Sequence, residues 1–418
     1  MKTYQSIGSY VVLGLAAIWS LISILGNRAL VMGDELIFYR SVLVEPLSEV
    51  NPAGYLYDIV YSSAALCGDG YYACVKTLNW LFLVGFSGVV VALALYLGIN
   101  RLYAILFGAA ILLSPIGVRT SFFMPDVMFY AFGALSIGLI FVWLERRQDT
   151  RLLILSGAVA GAAMLVKPHG VFLVVGILIS LGLLLFFDFS SVWKSLVIYG
   201  VVAFGLRLAV GFLAGGLSGL NLFGGYASEG AVGALAGSVA RASDQEGLVE
   251  LAIEFAIVAL LAFLAGLLLL SPGLFGAILQ GDSGSFLKRN LSRQKSFLYF
   301  SLLIFLSQAA AFSLFIFIAA SGGESFENRV VFRYVEFLVP LVAIGILGSY
   351  LREKTRHRIT AASFAFLALT VAAIVYSLFV FGDGVNIRYA DSGFTFLFSN
   401  QEILSGAIIL LAGVSMLQ

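Results

Sequence analysis

Twelve apolar runs constrain this chain more than anything else in it. They fall near residues 7–26, 77–97, 102–118, 125–144, 152–167, 171–188, 195–215, 250–271, 297–320, 334–351, 359–381 and 402–417. A helix needs about 20 apolar residues to cross the hydrocarbon core of a bilayer. The runs are continuous, not alternating in segments of about ten, so they read as helices and not as barrel strands. Residues are 61% hydrophobic and 11% charged, where a soluble domain is about a quarter charged. That excludes a water-soluble fold and gives no basic surface for nucleic acid. The run Ile7–Gly26 is longer than the roughly 7–15 residues of a signal-peptide core, so it reads as a first spanning helix. The expected fold is an all-α polytopic membrane protein with about 11–13 transmembrane helices, one domain over residues 1–418. The runs 102–118 and 152–167 are short, which predicts tilted or partly embedded helices.

Lys and Arg set the orientation. With the N-terminus inside, 14 of the 24 basic residues fall in inner segments, gathered in short loops such as "ERRQDTR" and "REKTRHR". The first loop, 27–76, then lies outside. It holds both cysteines of the chain, Cys67 and Cys74, flanking "GDGYYA". An oxidising compartment favours a disulfide between them; two free buried thiols are the alternative.

The same loop carries the adjacent acids Asp34 and Glu35. They precede Leu36, Tyr39, Leu43, Pro46 and Leu47, whose near-helical spacing predicts a helix lying on the membrane surface. The acids can cap that helix, or one can serve as a general base just above the bilayer.

At this point the chain resembles the integral-membrane glycosyltransferases of the C superfamily, in the branch of protein O-mannosyltransferases and lipid A aminoarabinose transferases. The resemblance rests on "GDELIFY", "NPAGYLYDIVY", a Pro-Asp before a helix at Asp126, the small-residue helix "SGAVAGAAMLV", "KPHG" at its end, and "RYVEFLVP". The order of these short motifs carries more weight than any one of them. The chain departs from the pattern in three ways. Arg40 follows the acids later than the basic residue of the aminoarabinose branch. The paired prolines are reduced to Asn51-Pro52. No large C-terminal soluble domain is expected.

The resemblance implies a C-type bundle with amphipathic surface helices in the first outer loop. It implies a polyprenyl-phosphate sugar donor and a cell-envelope glycan, lipid-linked or protein acceptor. The site would face the outside of a bacterial inner membrane. A phosphate leaving group departs without a general acid, so one carboxylate to deprotonate the acceptor and cations to hold the phosphate suffice. Asp34 is the candidate base, with Glu35 turned to orient or cap. Lys167 is a candidate phosphate clamp or a snorkelling anchor. His169 makes a polar contact in preference to metal ligation, since no second ligand has suitable spacing; no cofactor is expected, and a divalent cation stays open, with Asp34, Glu35 and Asp126 as the acids that could converge on it. Arg207 lies mid-helix, where a charge is costly, and calls for an anionic partner unless the helix is placed nearer the interface. Asp126, Arg333 and Tyr334 gather with Arg119, Arg329 and Glu336 at outer helix ends. There they can grip phosphate or sugar, or form an Arg–Glu structural network. The rival functions are a lipid-linked saccharide flippase or transporter and an O-antigen polymerase or ligase.

Overall fold

The computed structural model describes residues 2–26, 33–49, 54–146, 149–185, 189–222, 293–321 and 336–352. Among them all regular structure is helical. The α-helices are α1 (Lys2–Gly26), α2 (Gly33–Leu43), α3 (Tyr55–Tyr61), α4 (Tyr71–Tyr96), α5 (Arg101–Leu113), α6 (Asp126–Arg146), α7 (Thr150–Val166), α8 (Gly170–Leu185), α9 (Phe189–Gly215), α10 (Arg293–Ser321) and α11 (Leu338–Arg352). Short 3₁₀ turns occupy Leu47–Glu49, Ser62–Gly70, Pro115–Ser121 and Ser218–Leu220.

Nine of the expected spans coincide with α1 and α4 to α11. The spans at 250–271, 359–381 and 402–417 lie outside the described residues. Local chemistry sets the ends. Asn100 accepts a hydrogen bond from Leu102 N–H and opens α5; Asp149 does the same for α7 from Arg151 N–H. Gly98, at φ 78°, makes the turn between α4 and α5, a conformation that suits glycine. The expected run 102–118 was too long. Ser114 turns extended, and Pro115 restarts the chain as the 3₁₀ turn Pro115–Ser121, because proline excludes the preceding residue from the helical region.

Among the described residues, three stretches are long and apolar enough to cross a membrane by length and composition: parts of Tyr55–Tyr96, of Asp126–Arg146 and of Trp193–Gly215. Tyr55–Tyr96 runs 42 residues, about twice what a crossing needs. Non-helical Gly68 breaks it, so the crossing part is α4, and α3 lies beyond it. Shorter apolar helices of 10–17 residues include α5, α7 and parts of α1, α8, α10 and α11. Helix α1 exposes Val11, Leu15, Ile18, Trp19 and Ile22. Such an apolar outer face suits lipid.

Helix α6 is the central element, packing on α4 and α7; α7 packs on α9, α8 on α10, and α10 on α11. Phe86, Tyr130, Phe141 and Phe297 fill the interior. The small residues of α7 allow its close approach to α9. A Cβ added at Gly161 would stand 2.7 Å from the Ala203 carbonyl oxygen, and one at Gly157 3.0 Å from that of Tyr199. A helix backbone cannot yield there, as in other small-residue seams of membrane bundles. Gly161→Val is therefore expected to destabilise the protein by about 1–3 kcal/mol through overpacking, read from unfolding in detergent. Gly205→Ala on α9, where a Cβ meets nothing within 4 Å, is the control. Equal unfolding midpoints for the two variants would refute the close seam.

Candidate active site

Helix α2 begins at Gly33, which puts Asp34 in its first turn; the Asp34 side chain is outside the described residues. Glu35 is buried. Its Oε1 accepts from the Tyr72 hydroxyl at 2.9 Å and from Phe123 N–H at 2.5 Å. One carboxylate thus ties α2 to α4 and to the segment that leads into α6. The Lys76 ammonium is near enough to feel the Glu35 charge and lies 5.2 Å from the Tyr72 ring. The buried stripe of α2 is Glu35, Phe38, Ser41 and Val42, while Leu36 and Ile37 are exposed. Of the stripe expected on the membrane side, Leu36 is exposed, while Tyr39 and Leu43 are partly buried against the core, Tyr39 beside Tyr71 and Phe123.

Asp126 opens α6 immediately after Pro125. Lys167 caps α7 with extended backbone, and Pro168, which has no N–H to donate, stops the helix. The turn carries the Lys167 ammonium to within 2.5 Å of Asp126 Oδ1, with side-chain exposures of 8% and 1%. Lys167 is thus a buried ion-pair partner and not a snorkelling anchor. His169 is buried in the same turn, its ring 6.3 Å from that of Phe172.

Between these groups stands Tyr57 of α3. Its ring stacks on Tyr61 at 4.2 Å and lies 6.2 Å from Phe123. Its hydroxyl is buried with no hydrogen-bond partner among the described residues. Burial raises its phenol well above the ordinary range, and the charges of Asp58, Asp126 and Glu35 add to this. That mutual influence puts three carboxylates around one tyrosine. Tyr61 donates to Asn79, whose amide in turn donates to the Thr120 and Phe122 carbonyls, holding the loop beneath Phe123.

The remaining candidates divide. Arg119 meets Glu336 at 3.1 Å, both buried, and the Tyr130 hydroxyl donates to the same Glu336 oxygen at 2.5 Å. This Arg–Glu network joins the 3₁₀ turn Pro115–Ser121 to the start of α11. Arg333 and Tyr334, just upstream, lie outside the described residues, as does Arg329. Arg207 is fully buried in α9. It donates to the carbonyls of Gly219 and Asn221 at 2.9 Å each and lies 5.5 Å from the Tyr55 ring. In the described residues it closes the end of its own helix. Arg40 ends α2 largely exposed, paired with Glu45 at 2.7 Å. Cys67 and Cys74 are bonded, with Cα atoms 6.6 Å apart. The bridge ties the 3₁₀ turn Ser62–Gly70 to the first turn of α4, where Tyr72 holds Glu35.

Sequence reading missed Tyr57, Asp58, Tyr72, Lys76 and Asn79. Lys76 and Asn79 carried a signal, being polar residues at the start of an apolar run. Asp58 was the acid inside "GYLYDIVY".

All these groups sit at one end of the bundle, where α4, α6, α8 and α11 begin and α7 and α9 end. Residues 77–214 match the family model described as dolichyl-phosphate-mannose-protein mannosyltransferase. The match takes in Asp126, Lys167, His169 and Arg207, and begins well downstream of Asp34 and Glu35. No curated protein and no solved structure matches the chain. The chain is a helical membrane protein, and the family match supports a membrane glycosyltransferase of the C type.

Proposed function

We propose that the chain moves a sugar from a polyprenyl-phosphate donor to an acceptor hydroxyl on the outer face of a bacterial inner membrane. The observation that carries this is the family match over 77–214 together with the gathering of Glu35, Asp126 and Lys167 at the end of the bundle to which α2 belongs. Asp34 takes the proton of the acceptor hydroxyl. The oxygen attacks the anomeric carbon, the bond from that carbon to the phosphate oxygen breaks, and polyprenyl phosphate leaves. A single displacement inverts the anomeric centre. Glu35 fixes the helix that carries the base. Lys167 and Arg333 supply positive charge for the phosphate, while Asp126 places Lys167. His169, Arg207, Tyr334 and Arg40 are assigned to the surrounding donor and acceptor contacts. The acceptor class is a cell-envelope glycan, such as lipopolysaccharide, a lipid-linked saccharide or a protein.

The test uses the full chain purified in detergent and a radiolabelled polyprenyl-phosphate sugar. Label passing to an acceptor hydroxyl, with polyprenyl phosphate released, is the expected result. Donor that crosses liposome membranes without transfer would overturn the reading in favour of a flippase.

A further inference from the structure

Asp58 lies on α3, 2% exposed. Its Oδ1 accepts from the Ser41 hydroxyl of α2 at 2.9 Å. Its Oδ2 is buried and has no hydrogen-bond partner among the described residues. An ionised carboxylate offers about four acceptor sites, and burying one with a single bond is costly. A carboxylic acid in the same place costs much less, because no charge is buried. Ser41 also reaches the Phe38 carbonyl, at 3.1 Å. With Asp58 protonated, the acid can donate to Ser41 and leave the Ser41 proton for Phe38.

Helix α2 is therefore seated at three points. Glu35 holds the end near Asp34 through Tyr72 and Phe123. Phe38 packs edge-on against Tyr57 at 5.6 Å. Ser41 rests on Asp58. We propose that Asp58 is a positioning residue, which in its protonated form holds α2 so that the turn carrying Asp34 is correctly placed; the proposal rests on the reading of Asp34 as the base.

Electrostatics agree with the geometry. Burial pushes the Asp58 carboxyl up from 3.8 to about 7; the Ser41 bond pulls it down, and the Glu45 charge raises it. The other groups that face it are Tyr55 and Tyr57 of its own helix. Of the elements packed on α3, α9 brings Arg207, whose guanidinium lies against Tyr55. The 3₁₀ turn Ser62–Gly70 brings the exposed Asp69, and α7 has only Arg151, at its far end. The folded value is raised, so the protonated seat contributes fully below the ordinary 3.8 and is lost as pH rises through about 7.

The test follows turnover and thermal midpoint against pH for the full chain in detergent. Wild-type turnover is expected to fall on the alkaline side, by up to about tenfold per pH unit above the Asp58 midpoint. Asp58→Asn keeps the shape and an acceptor for Ser41 but cannot ionise, so that limb disappears. Ser41→Ala removes the bond that favours the charged form; it moves the limb to higher pH and lowers the plateau. Both variants leave the KM for the donor unchanged. An Asp58→Asn profile that keeps the wild-type limb, or a Ser41→Ala limb that does not move, overturns the proposal. If Asp58→Asn does not fold, Ser41→Ala decides. If the wild type transfers no sugar, the reading of function has failed instead. The thermal profile then decides: wild-type and Asp58→Asn curves that superimpose through about pH 4–8 refute the seat, and loss of pH dependence in Asp58→Asn supports it.

Discussion

Asp34→Asn is expected to cut turnover by a factor of about 10²–10⁴, the usual contribution of general-base catalysis, while leaving the fold and donor binding intact. The amide keeps the size of the side chain and a capping oxygen at the start of α2. Glu35 seats that helix from the neighbouring position through Tyr72 and Phe123, and it is untouched in this variant. Glu35→Gln retains an Oε1 able to accept both of those bonds, so its effect on turnover is expected to be milder. Single-turnover rates with radiolabelled donor, measured beside donor affinity, separate the two. Asp34→Asn with wild-type turnover would make Asp34 a helix cap, and the base would have to be sought among the buried acids of this end, Glu35, Asp58, Asp126 and Glu336.

The bundle was legible in the sequence because lipid makes a simple demand. A crossing segment must be apolar for about 20 residues and satisfy its backbone internally. Punctuation is local too: Asn100, Asp149 and Pro168 each act on their own turn. The small-residue rhythm of "SGAVAGAAMLV" was also visible in advance, and it marks the seam at Gly157 and Gly161. The pairings of the site were not visible. Glu35 bonds to residues 37 and 88 positions away, and Arg119 to one 217 away; such partners exist only once helices pack. The hydrophobic pattern of α2 predicted a helix on the membrane surface and left its protein-facing side unread. Leu36 and Ile37 are the more apolar pair, yet Glu35 and Ser41 find hydrogen bonds inside, and those bonds turn the helix. Arg207 shows the same limit. Its place within an apolar run called for an anionic partner or a helix nearer the interface; the carbonyls that it meets just beyond its own helix were not visible, because the chain doubles back after Gly215.

Lys167→Met is expected to produce two separable losses. The first is structural. Asp126 and Lys167 form a buried pair at 2.5 Å, and removing one partner leaves the other as an uncompensated buried charge, a cost of about 3–5 kcal/mol. The second is functional. If Lys167 also faces the donor phosphate, that phosphate loses a charge-assisted partner worth about 1.5–3 kcal/mol, roughly a 10- to 150-fold weaker donor affinity. The double variant Asp126→Asn, Lys167→Met distinguishes them. It carries no unpaired charge, and replacing a buried pair by neutral groups of similar volume is often close to neutral, so its unfolding midpoint is expected to return toward wild type. Its donor affinity is not expected to return, because the ammonium is still missing. A double variant that regains both stability and donor affinity would confine Lys167 to holding Asp126 and the α7–α8 turn, and the phosphate would then have to be met by other cations, Arg333 first among them.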